Sequence, residues 1–444
     1  MPCICSFHLP PEGYDHMKRY GKRIIETLVL VCALLLAALT AAAPGQAADI
    51  PIRQIDPITL QPRGEARALV IVCDFADVKY RSDRISDEEL ERDLFGTGTA
   101  DLYPYVCLTM YFENASYGAL HMDGDVYHYT LSGNIADYEN SDQDFEKFVT
   151  EVLNGLDDTI DYRKYDADRD GYIDVLSMSI PTGGDAEFWY GCTATWESDP
   201  LKLDGEKLWH YVINDEQPYA DTLDYYLGTL AHEYGHCMGL SDYYEYGKDE
   251  DWEATTGDAG LERMDESEGD FCPYSKLMVG WYGKENIQCY DWAKGGTQVF
   301  TLKDDSTDPS VLLLPSAESC DLFSEYFTVD YITPRANFAT LFDEGGVRLY
   351  HVDSELGTYD DGTDYLLYDG FSPDYDSTGK GRRLIRLVNN GKGFYTEGDT
   401  IDCSASGFAW YDESGKETVD TGYTVHVDSI DETARTCTVS VTRK

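Results

Sequence analysis

The stretch that decides the reading runs His232-Glu233-Tyr234-Gly235-His236-Cys237-Met238-Gly239-Leu240-Ser241-Asp242. Histidines four residues apart share one face of a helix, so both imidazoles can reach a single ion. Glu233 projects beside them, placed to hold a water and take its proton. Zinc at such a site lowers the pKa of that water and polarises a carbonyl. Catalytic zinc takes three protein ligands and keeps one position open, so a third ligand must come from nearby chain. Gly239 stands three residues past His236, where a helix can stop in a left-handed turn. The chain then doubles back, and Asp242 is the expected third ligand. Glu245 is the alternative, and Asp242 could instead orient a histidine from outside the ligand set.

Outward from this motif, Thr222–Met238 reads as one helix, and Tyr274–Trp281 as a short helix opened by Pro273. Upstream, the apolar run Ala68–Cys73 reads as a buried strand, and Asp174–Ile180 as another. Tyr127–Leu131 alternates like a strand. Ser86–Leu94 has a cap and an acidic first turn. Asp144–Leu156 places Phe145, Phe148, Val149, Val152 and Leu153 on one helical face. Past about residue 297 the texture changes. Strand signals recur at Gln298–Leu302, Val311–Leu314, Tyr326–Tyr331, Val347–His351, Leu384–Leu387, Thr424–Val427 and Thr436–Thr442, with turn residues between them. That pattern reads as an all-β, sandwich-like domain, with a boundary near Lys294-Gly295-Gly296.

A second acidic motif lies at Asp166-Ala167-Asp168-Arg169-Asp170-Gly171-Tyr172-Ile173-Asp174. Asp166, Asp168 and Asp170 have the spacing of the first half of a calcium loop. Tyr172 would offer its backbone carbonyl, and Asp174 falls at the ninth position. The twelfth position is Ser177 rather than glutamate, so a further ligand must come from elsewhere. Calcium is the expected ion, stabilising the fold by binding the native state.

The chain has 444 residues, more than one compact core holds, and a formal charge of −49. Such a surface repels nucleic acid and anionic membranes and favours cations. Residues 1–47 read as a signal peptide, with Lys18, Arg19, Lys22 and Arg23 before the apolar run Leu28–Ala43 and small residues at Gly45-Gln46-Ala47. Met17 is a candidate true start. The apolar run is shorter than the roughly 20 residues a spanning helix needs, so no membrane anchor is expected after cleavage. Nine cysteines follow residue 47, and an odd number cannot all pair. His351 is expected to order a turn rather than to touch zinc, and Cys237 to be buried.

The pattern H-E-x-x-H-x-x-G-x-x-D is similar to that of metzincin-like enzymes with an acidic third ligand. The chain resembles the immune inhibitor A-like family of secreted peptidases. The resemblance extends to Ala68–Phe75, Leu94-Phe95-Gly96, Tyr111–Gly118, Tyr165–Asp174 and Gly346–Asp353. It implies a Met-turn beneath the zinc, for which Met264 in Arg263-Met264-Asp265 is the candidate, and a closing helix at Tyr274–Trp281. By itself Met264 reads only as a soft apolar residue.

The expectation is therefore an α+β chain: a metzincin-like zinc protease domain over 48–296 and an all-β domain over 297–444. The expected protein is a secreted, monomeric zinc endopeptidase acting on protein or peptide substrates, with His232, His236 and Asp242 on zinc and Glu233 as general base. The alternative from a different class is a calcium-stabilised extracellular binding protein with a dead protease fold, against which the intact Glu233 argues.

Overall fold

The run around Ala68–Cys73 forms the centre of β1 (Gly64–Asp74), a strand buried on both faces. Its even and odd residues feed two different cores. Ala68, Val70 and Val72 join one apolar cluster, and Leu69, Ile71 and Cys73 join the other. A strand covered on both sides is continuously apolar, which is why no polar alternation appears in its sequence.

The computed structural model describes residues 58–139, 145–185, 188–197, 201, 203–244, 259–266, 269–360, 362–369, 381–388 and 393–444. The expected signal peptide, Met17 and Glu245 lie outside these. The described residues belong to one compact unit, Ala47–Lys444. Among them no helix is long and apolar enough to cross a membrane.

β1 pairs in parallel with β2 (Leu120–Thr130) and with β3 (Val175–Ser179). The sheet continues through β4 (Cys192–Thr195) and β5 (His210–Asn214), in the order β2-β1-β3-β5-β4. β5 is parallel to β3, whereas β4 is antiparallel and forms the edge. On one face lie α1 (Asp87–Phe95), α2 (Leu108–Ala115) and α4 (Leu223–Cys237). The other face packs Phe148, Val149, Val152 and Leu153 of α3 (Glu146–Leu156). α1 opens on a reciprocal cap, in which Ser86 and Glu89 each accept the other's backbone N–H. Two further short helices, α5 (Arg263–Glu266) and α6 (Pro273–Met278), follow α4.

Beyond them the chain is almost wholly β. A five-stranded sheet has the order β13-β10-β9-β8-β6, built from β6 (Ile287–Cys289), β8 (Val311–Pro315), β9 (Glu325–Ile332), β10 (Gly346–Asp353) and β13 (Ile385–Leu387). A four-stranded sheet has the order β14-β17-β18-β7, from β7 (Gly296–Lys303), β14 (Thr400–Ile401), β17 (Tyr423–Asp431) and β18 (Thr436–Arg443). One core lies between them: Phe300, Leu302, Leu312, Leu314, Phe327, Val329, Val425 and Val439 are all in it. The opposite face of the five-stranded sheet sends Val311, Leu313, Tyr326, Tyr350 and Val352 into the same core as α4. Two hairpins complete the described chain, β11 (Leu356–Thr358) with β12 (Asp364–Leu366) and β15 (Ala409–Tyr411) with β16 (Glu417–Asp420). The architecture is thus mixed, with several sheets and few helices.

One sequence expectation needs revision. His351 does not order a turn. It lies in β10, fully buried, with Nδ1 3.0 Å from Glu417 and Nε2 2.9 Å from Glu325. Its ring is stacked between Phe327 and Tyr411, so it ties the β15–β16 hairpin to the sheet. Among the cysteines Cys289 pairs with Cys320, and seven others among the described residues are free.

Candidate metal centre

α4 forms because Leu223, Tyr226, Leu227, Leu230, Ala231 and Tyr234 recur at helical spacing and are all buried. It ends as the sequence indicates. Gly239 takes φ +85°, its amide donates to the His236 carbonyl at 2.8 Å, and the Leu240 amide donates to Gly235 at 3.1 Å. This paired closure turns the chain back across the helix end. It delivers Asp242, whose Oδ1 lies 2.9 Å from His232 Nε2 and 3.2 Å from His236 Nε2.

The other ring nitrogens are also fixed. His232 Nδ1 lies 2.8 Å from the Arg263 carbonyl, and His236 Nδ1 lies 2.7 Å from the Leu240 carbonyl. A carbonyl only accepts, so each Nδ1 must carry the proton and each neutral ring turns an Nε2 lone pair towards Asp242. Three acceptor atoms then converge, and ligand atoms of the trio all lie within 4.8 Å of one another. Buried acceptors facing each other demand positive charge between them. The electrostatics of the trio point the same way. Burial works against charge on His236, but Asp242 outweighs it and pushes the imidazole up to about 9. His232 is raised in the same way. Burial likewise opposes charge on Asp242, yet the two imidazoles hold it well below the usual carboxylate range.

Glu233 is nearly buried beside this trio. The Thr193 hydroxyl, on edge strand β4, donates to Glu233 Oε2 at 2.8 Å and lies 3.1 Å from its carbonyl. Met264 is fully buried against α4, where a Cβ on Gly235 would come within 2.4 Å of its sulfur. Tyr244 stacks on His232 at a centroid distance of 6.2 Å. Cys237 is buried, and burial pushes its thiol up to about 12, which keeps it protonated. Sequence reasoning missed Thr193, Gly235 and both carbonyl partners. Only Gly235 had a visible signal, as a glycine in mid-helix.

The acidic loop converges in part. Asp166, Asp168 and Asp174 offer ligand atoms within 4.8 Å of one another. Asp170 is not in that group. Its Oδ1 accepts the Tyr172 amide at 2.9 Å in a local turn. Asp174 is buried and accepts the Arg67 amide at 2.8 Å. Burial pushes its carboxyl up to about 7, with Asp168 and Asp166 adding to the rise. A residue distant in sequence approaches as well: Glu206 meets Asp166 and feels Asp170, and its carboxyl is raised.

No protein-family model matches the chain, and no curated protein does. Similar solved structures include two crystal forms of wild-type OgpA from Akkermansia muciniphila, each at 13% identity. The first covers 73% of this chain and 98% of that one, with a TM-score of 0.27; the second covers 72% and 99%, with a TM-score of 0.26. Superposition that loose leaves function to the site's own geometry.

Proposed function

We propose that the chain is a secreted zinc-dependent endopeptidase, with a metzincin-like catalytic part over 48–296 and a sandwich-like part over 297–444, akin to immune inhibitor A-like peptidases. One observation carries this reading: two imidazoles, each tied down at Nδ1, and a buried carboxylate aim three acceptor atoms at one point beside Glu233. Two nitrogens and one oxygen suit zinc better than calcium or magnesium, which take oxygen ligands.

His232, His236 and Asp242 would hold the zinc, which when bound supplies a Lewis acid for a carbonyl and for water. The chain's own groups supply the proton traffic. Thr193 fixes one oxygen of Glu233, leaving Oε1 to take a proton from the attacking water. Glu233 then passes that proton to the departing amine as the C–N bond breaks. An extended peptide laid along the exposed edge β4 passes Thr193 and so passes Glu233. In this reading Asp166, Asp168 and Asp174 hold calcium, with Glu206, whose carboxyl meets Asp166, as the candidate for a further ligand. The substrates are proteins or peptides, and the chain works as a monomer.

Cleavage of casein, with and without a chelator, tests the reading alongside Glu233→Ala. The variant should keep one zinc per chain and lose activity by on the order of 100-fold or more. Undiminished cleavage by the variant, or by zinc-free protein, would refute it.

A further inference from the structure

One residue grips His232 from two directions. Arg263 is fully buried in α5, and its main-chain carbonyl accepts from His232 Nδ1 at 2.8 Å. Its guanidinium also reaches α4, where Nη1 donates to the Gly228 carbonyl at 3.3 Å. Gly228 lies four residues before His232, so helix geometry assigns that same carbonyl to the His232 amide. The ring and the backbone of one histidine are therefore both anchored to Arg263.

The guanidinium is in turn held by other segments. Nε donates to the Tyr111 hydroxyl of α2 at 2.8 Å, and Nη2 to the Gly269 carbonyl at 2.8 Å. The Arg263 amide donates to the Asp270 carbonyl at 3.2 Å, closing its own loop. The guanidinium carbon sits 4.8 Å from the centre of the Tyr111 ring. A planar fork with five donors can satisfy acceptors on several segments at once, and an ammonium group cannot reproduce that geometry.

We infer that Arg263 is a positioning residue for the metal centre, fixing the tautomer and direction of His232 through a carbonyl that its own guanidinium immobilises. The inference rests on the reading of His232, His236 and Asp242 as metal ligands. Partners of ligating histidines of this kind set ligand direction and basicity, and their loss weakens metal binding by roughly 10- to 100-fold. The distinctive element is that the side chain acts at a distance: the contact to His232 Nδ1 is main-chain, so it survives any substitution of Arg263 while its anchoring does not.

Cobalt(II) titration of the full chain tests this, because the cobalt visible spectrum reports coordination geometry as well as affinity. Arg263→Met should bind cobalt roughly 10- to 100-fold more weakly and with a changed absorption band. Tyr111→Phe, which removes only the hydroxyl that holds Nε, should shift both in the same direction by less, with little change in the melting temperature of the metal-free protein. Should Arg263→Met fail to fold, Tyr111→Phe decides. Wild-type affinity and spectrum in the folded variants would overturn the inference and leave Arg263 a purely structural residue. His232→Ala separates the two levels: if it binds cobalt as the wild type does, the metal-site reading itself fails.

Discussion

A methyl group on Gly235 would lie 2.4 Å from the Met264 sulfur, inside any real contact distance. Phe271 stands 3.3 Å away on the same side, and Met264 is fully buried, so the sulfur has little room to swing aside. Helix propensity alone favours alanine over glycine by about 1 kcal/mol. Overpacking of a filled core costs roughly 1–3 kcal/mol, and here it should win. Gly235→Ala is expected to lower unfolding stability in urea, and Gly235→Ala with Met264→Ala to recover part of the overpacking loss. A single variant as stable as wild type would show that the methionine is not packed against the helix.

Thr193 holds the carboxylate of Glu233 with one hydroxyl. A hydrogen bond to a charged group contributes about 1.5–3 kcal/mol, so its loss should lower kcat by roughly 10-fold or more. Thr193→Val is expected to show that loss with unchanged zinc content and nearly unchanged KM, whereas Thr193→Ser should retain most activity. Equal kcat in the valine and serine variants would remove Thr193 from the proposed machinery.

How much of this was legible beforehand follows from where each signal sits. The helix and its stop could be read because the i, i+4 histidines, the apolar spacing and Gly239 are all local. β1 was visible because a strand buried on both faces is an unbroken apolar run. β4 and β5 were not visible: Cys192–Thr195 and His210–Asn214 are short, and only their pairing with each other and with β3 makes them strands. The partners of the histidines were hidden for a different reason. Main-chain carbonyls at Arg263 and Leu240 have no side-chain signature. The calcium-like spacing placed Asp166, Asp168 and Asp174 together but not Asp170, because spacing alone does not fix which way each carboxylate points. His351 escaped because Glu325 and Glu417 are 26 and 66 residues away.

Asp174 should make stability depend on calcium and pH together. Burial pushes its carboxyl up to about 7 in the folded chain, against about 3.9 when unfolded. Ionising it without a counter-ion therefore destabilises the fold, so its contribution is full below pH 4 and is lost as pH rises through 7. Bound calcium supplies the missing charge. Melting temperatures between pH 5 and 8 should fall in a calcium chelator and hold up with millimolar calcium, and Asp174→Asn should abolish the difference. Superimposable wild-type curves with and without calcium would argue that the loop is only a solvated turn.

A second raised carboxyl welds the two halves of the chain. Lys276 Nζ lies 2.9 Å from Asp270 and 3.8 Å from Asp305, and Arg348 lies 2.6 Å from Asp330, all buried. Tyr117 and Tyr282 also donate to Asp305, each at 2.8 Å. Two cations face three carboxylates, so one carboxylate is in excess. Burial pushes Asp305 up to about 7, eased by Lys276 and worsened by Asp330. The raised value means that stability is lost as pH climbs from about 4 through 7. Asp305→Asn keeps an acceptor for the Ser310 amide, and the tyrosine hydroxyl can accept from the new amide. The variant should match wild type near pH 5 and become relatively more stable towards pH 8, measured by urea unfolding at both. A difference that stays constant with pH would assign the proton elsewhere. Since Asp305, Asp330 and Arg348 lie beyond residue 297, a chain ended at 296 would leave Lys276 with only Asp270 and the Tyr117 hydroxyl, and it is expected to give no cooperative unfolding transition.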